Sequence, residues 1–198
     1  MNSPSNKEKL DFLFSQIKSC QRCPLSASRS TLVFGDGNPD SRIVFAGEAP
    51  GKEEDLQGRP FVGRSGQLLS EMILDVFRLQ RKDYYITNIL KCRPTINQEM
   101  IKDRPPAPEE IASCMPILME QLKIVKPDVI VAIGSSSTKA LLNTNEGITT
   151  LRGKWSVFKD IPLLPTFHPS YVLRNGGKNS PQYAMMIADL KKARERLL

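Results

Sequence analysis

Apolar positions near the start of the chain recur with helical spacing: Leu10, Leu13, Phe14 and Ile17 share one face, and the pattern stops before Cys20. It predicts a helix that leads into a cysteine pair. At residues 42–46 the pattern becomes a short apolar run, as in a buried strand. At residues 65–77 it returns to helical spacing, with Leu68, Leu69, Met72, Ile73 and Val76 on one stripe. Residues 84–88 are rich in β-formers, and Pro108 opens a helix through Ile111, Met115, Leu118 and Leu122, with Glu109 and Glu110 suited to its first turn. A fully apolar strand at 128–134 ends in Gly134 before a serine-rich helix start, and another at 162–167 precedes His168. Residues 169–174 read as a loop, and Pro181 starts a last amphipathic helix through Tyr183, Met186, Ile187, Leu190 and Leu197.

Strands and helices that alternate at these lengths predict an α/β fold, a mostly parallel central sheet flanked by helices on both faces. In such sheets ligands bind beyond the carboxyl ends of the strands. Glu48, Asn88, Ser135 and His168 each follow or close a predicted strand, so polar side chains should gather along that edge. No internal repeat interrupts the pattern, and the proline-rich 104–108 reads as a loop rather than a boundary. One domain over residues 1–198 is the expectation.

Charge narrows the partners. Basic residues exceed acidic ones to give a net charge of +7 and a pI near 9.3, which favours a polyanion, with nucleic acid ahead of an anionic membrane. No apolar run reaches the length of a spanning helix, and MNSPSNKEKL lacks the basic-then-apolar arrangement of a signal peptide. A cytoplasmic monomer is expected. In that reducing setting the four cysteines point to metal or chemistry rather than to disulfides. Cys20 and Cys23 form a C-x-x-C pair, whereas 21 residues separate Cys92 from Cys114. Four thiolates suit tetrahedral zinc or an iron–sulfur cluster, and the split second pair departs from a zinc ribbon.

The stretch GEAPGKEEDLQGRPFVG follows the 43–46 strand and returns with a lone Phe61 between Pro60 and Val62. Together with RSGQLL, TNILKCRP, the cysteine spacing and HPSYVLR, it resembles the family 4 uracil-DNA glycosylases over nearly the whole chain. The resemblance implies their three-layer fold, excision of uracil from single- or double-stranded DNA, and a four-iron four-sulfur (4Fe-4S) cluster held by Cys20, Cys23, Cys92 and Cys114. It implies that Gly47, Glu48, Ala49, Pro50 and Phe61 wall the uracil pocket. Asn88 would read the base edge, and His168 would face a uracil carbonyl.

The chemistry asks for such residues. A base flipped out of the helix loses its stacking, which Phe61 can replace. The Asn88 carboxamide donates and accepts together, matching uracil O4 and N3–H while mismatching cytosine. His168, the only histidine, can donate to uracil O2 as charge develops on the leaving base. Ala49 stands where related glycosylases position water with Asp or Asn, so the carboxylate is expected from Glu48 and Glu54, although 53–55 reads equally as a solvated acidic turn. Ser65 opens a helix suited to a phosphate, Leu173 is a wedge for the vacated stack, and Arg174 is a phosphate contact. The segment between Cys92 and Cys114 is longer than the family's compact loop and contains no histidine of the kind with which a related branch bonds the abasic sugar. Turnover is therefore expected. The competing reading is a cluster- or zinc-bearing DNA-binding module related to phage polymerase-associated domains, with its pocket idle.

Overall fold

The computed structural model describes residues 3–96 and 102–198; the stretch of the long Cys92–Cys114 segment at 97–101 lies outside them. Six strands form one sheet in the order β1-β3-β2-β4-β6-β5. The inner four are β2 (Ile43–Gly47), β3 (Tyr85–Asn88), β4 (Val129–Ile133) and β6 (Ile161–Thr166), and they pair in parallel. The short edge strands β1 (Asp36–Gly37) and β5 (Ser156–Phe158) pair antiparallel. The chain steps from β2 to β3 on one side and to β4 on the other. The strand order thus reverses at β2, where α/β sheets open a crevice.

Every residue of β2, β3 and β4 is buried, as expected of parallel strands covered on both faces. Alternation divides the core between those faces. Val44, Ala46, Tyr85, Ile130 and Ala132 pack with Leu10 and Ile17 of α1 (Asn6–Ile17) and with Leu118 and Leu122 of α4 (Pro108–Val125). Ile43, Phe45, Ile86, Val129 and Val131 face the other way. They meet Leu69, Met72 and Ile73 of α3 (Arg64–Phe77) and Met186 and Leu190 of α8 (Pro181–Glu195).

Two sequence expectations are corrected. Residues 169–174 are a short helix, α7 (Pro169–Arg174), with Pro169 in its first turn and His168 as its N-cap, because a proline after a capping side chain starts a helix as readily as it ends one. The acidic 53–55 belongs to α2 (Lys52–Gln57), where Asp55 is 1% exposed and accepts from the backbone N–H groups of Ser30 and Thr31. The helices α5 (Ser135–Leu142) and α6 (Ile148–Leu151) complete the fold.

Candidate active site

At the carboxyl edge of the sheet lies a cavity of about 260 Å³ lined by Glu48, Ala49, Pro50, Gly51, Glu54, Phe61, Ser65, Asn88, Pro94, Asp103, Arg104 and His168. The loop after β2, the turn between α2 and α3, the end of β3 and the start of α7 therefore bring Glu48, Phe61, Asn88 and His168 to one space. The Phe61 and His168 rings lie 6.1 Å apart with 29° between their planes. Asn88 is 2% exposed, and its buried Oδ1 has no hydrogen-bond partner among the described residues. Gly47 is required at the floor, because a Cβ there would lie 2.3 Å from Asn88 Oδ1 and 2.5 Å from Phe61 Cζ.

Phe61 occupies the left-handed region at φ 55°, a conformation that costs a non-glycine residue energy unless its surroundings impose it. Glu54 imposes it. Its Oε1 accepts from the N–H groups of Val62 at 2.9 Å and Gly63 at 2.8 Å, and its Oε2 accepts from Gly51 N–H at 3.2 Å. Gly66 clears the way, since a Cβ on it would lie 2.1 Å from Phe61 O. Both Glu54 oxygens are thus committed to backbone donors.

His168 Nδ1 accepts from Ser170 N–H at 3.1 Å and lies 2.8 Å from Ser170 Oγ. The nitrogen that accepts carries no proton, so the neutral ring bears its hydrogen on Nε2. Burial pulls the His168 pKa down to about 4, helped by the Arg174 charge and opposed by Glu54. The residue keeps partial exposure toward the cavity, yet the protein packed around the ring is dense enough to disfavour the cation. The ring is therefore a neutral donor at ordinary pH. Burial also raises the Glu48 carboxyl above its usual range, against a hydrogen bond from Ser136, which makes it a stronger base than an exposed glutamate.

Ser65 lies in the first turn of α3 at the cavity wall. Arg174 is exposed, while Leu173 is partly buried and packs on the core beneath α7. Pro94, Asp103 and Arg104 line the cavity without having been singled out in the sequence. They come from an irregular hairpin in which Thr95 bridges Asp103 and Arg104 N–H donates to Pro94 O. Arg93 pairs with Asp103 at 2.6 Å, and Arg104 grips the buried Glu110 through two bonds. No periodicity announces such a hairpin.

On the α1–α4 side all four cysteines, with Arg29 and Lys91, line a second, very small cavity. Arg29 donates to Cys92 Sγ at 3.4 Å, and Lys91 N–H donates to Cys114 Sγ at 3.3 Å. Burial pushes the Cys92 thiol up to about 11 and raises Cys114 as well. Burial thus favours the neutral thiols at Cys92 and Cys114, and ionising them would call for a positive charge beside them. Among the described residues no three Cys, His, Asp or Glu side chains converge as one metal ion requires. Four cysteine side chains around one cavity are a donor set that either an iron–sulfur cluster or a zinc ion can use.

The profile described as Uracil DNA glycosylase superfamily matches residues 34–191. A type-4 uracil-DNA glycosylase of Thermotoga maritima is 41% identical over 96% of this chain and 95% of its own. A type-4 uracil-DNA glycosylase of Archaeoglobus fulgidus is 41% identical over 84% of each chain. A DNA polymerase of Bacillus phage SP01 is 30% identical over 71% of this chain but only 14% of its own length.

Proposed function

Because the chain belongs to the uracil-DNA glycosylase superfamily, in its type-4 branch, we propose that the cavity beside β2 receives a flipped-out deoxyuridine and that Phe61, Asn88, His168 and Glu48 carry its excision. The protein is a monofunctional glycosidase that hydrolyses the bond between uracil and deoxyribose in DNA. In the proposed pose Phe61 covers the base face. Asn88 accepts from N3–H through Oδ1 and donates to O4. His168 Nε2–H points at O2. As the C1′–N1 bond breaks, its electron pair stays on the base, where the neutral imidazole stabilises the charge on O2. Water bonds to C1′ and loses its proton to solvent or to Glu48, whose carboxylate also favours positive character on the sugar. Glu54 we assign to holding the Phe61 loop rather than to the reacting water.

Ser65, Leu173 and Arg174 are proposed to meet the DNA strand around the flipped nucleotide. Cys20, Cys23, Cys92 and Cys114 are proposed to hold a 4Fe-4S cluster. Such a cluster would supply no step of the hydrolysis and would tie together the three chain segments that carry these cysteines. The whole chain is read as one catalytic domain working as a monomer in the cytoplasm, and among the described residues no helix is long and apolar enough to cross a membrane.

The observation that carries the reading is the buried, unpaired Oδ1 of Asn88 in a cavity it shares with Phe61 and His168. An idle DNA-binding module leaves that unmet acceptor without a purpose. The test is an oligonucleotide with a single uracil, treated with protein and then alkali. Strand cleavage is expected from the wild type, and Asn88→Ala should lose about 10²-fold or more in rate without losing thermal stability, since its Oδ1 has no protein partner to give up. An uncut strand from protein with its iron intact would overturn the proposal.

A further inference from the structure

Lys91 places an ammonium group in the interior, 1% exposed, between the cysteine cavity and the base-reading amide. Its Nζ donates to Thr87 Oγ1 at 2.7 Å, to the Asn88 backbone oxygen at 2.6 Å and to Gln121 Oε1 at 2.6 Å. The Gln121 amide cannot turn over without losing bonds, because its Nε2 donates to Phe34 O at 2.9 Å and to Tyr85 Oη at 3.0 Å. At its other end Lys91 donates its backbone N–H to Cys114 Sγ and is followed in the chain by Cys92. The two residues between Asn88 and Lys91 extend the tie: Ile89 N–H donates to Gly47 O and Leu90 N–H to Glu48 O.

An unpaired buried charge costs several kcal/mol, and an apolar side chain would fill this space without that cost. What the lysine head group adds is direction: three acceptors fixed around one donor, the Asn88 carbonyl among them, beside the cavity that the four cysteines line. We propose that Lys91 is a positioning residue. It transmits the fixed geometry of the thiolate centre to Asn88 and so holds the amide ready for uracil. The inference rests on the roles given above to Asn88 and to the cysteines. It explains why a hydrolase that needs no redox step would build a metal centre next to its specificity residue.

The test compares binding of an oligonucleotide carrying a non-hydrolysable deoxyuridine analogue with binding of the same strand carrying thymidine, alongside iron content. Lys91→Met should keep its iron and lose about tenfold of this preference, and in an Asn88→Ala background the same change should alter it by less than about twofold. Equal losses in both backgrounds, or an unchanged preference, overturn the proposal. If Lys91→Met fails to retain iron, Gln121→Leu decides: it removes one acceptor without touching a cysteine and should lower the preference about threefold, and no change there overturns the proposal as well. A wild-type protein that shows no preference for the deoxyuridine strand would instead refute the assignment of Asn88 itself.

Discussion

At His168 the backbone decides the chemistry of a side chain. As the N-cap of α7 its Nδ1 receives Ser170 N–H, which leaves Nε2–H as the donor, and burial pulls the pKa from 6.5 to about 4. Protonation would remove the Nδ1 lone pair that receives Ser170 N–H, and the lowered pKa keeps that acceptor over a wider pH range. In the range between those two values the unfolded chain binds the more protons, so stability rises with pH from about 4 to 6.5 and falls as pH drops through that window. An NMR titration of the imidazole should accordingly show a midpoint near 4, and the acid limb of kcat/KM should follow Glu48, disappearing in Glu48→Gln, rather than a group near 6.5. His168→Ala should reduce the rate by about 10²–10³-fold while leaving the fold intact. Asn88, by contrast, keeps a buried acceptor without a partner among the described residues, and this is the atom proposed to meet N3–H.

At the scale of elements, the turn between α2 and α3 shows how a strained residue is held. Phe61 sits at positive φ because one carboxylate, Glu54, collects three amides around it. Glutamine can still accept from Val62 and Gly63, whereas alanine cannot. Glu54→Gln should therefore stay within about tenfold of wild-type activity and Glu54→Ala fall by about 10²-fold. Hydrogen exchange should quicken at the Val62 and Gly63 amides in the alanine variant alone. Comparable losses in both variants would instead return Glu54 to the reacting water. The element periods were readable beforehand for the buried strands and for α1, α3, α4 and α8, where apolar spacing is long and regular. The short helix α7 was not, since six residues beginning with proline carry too little periodicity to tell a helix from a loop.

For the whole molecule, the reversal of strand order at β2 and the thiolate cavity are parts of one design. The cysteines sit on three segments far apart in sequence, before β1, after β3 and within α4, and they meet only in the folded chain. Binding free energy released at such a centre is folding free energy. Removing the proposed cluster, by chelation under reducing conditions or by Cys114→Ala, should lower Tm by more than about 10 °C and abolish uracil excision together with the cluster's visible absorption. Retained activity in an iron-free, folded protein would show that the centre does not support the pocket.

The sequence by itself determined the α/β class, the strands whose ends carry Glu48, Asn88 and His168, the basic charge, and a four-thiolate set, because apolar periodicity and residue chemistry are local properties written along the chain. Only the tertiary structure decided that Phe61, Asn88 and His168 share one cavity, that the Asn88 oxygen has no partner among the described residues, that Glu54 is committed to backbone amides, and that Pro94, Asp103, Arg104 and Lys91 stand beside them. The physical reason is distance along the chain. A hydrogen bond or a desolvated charge depends on which remote segments close around it, and those closures follow from how the strands are ordered in the sheet.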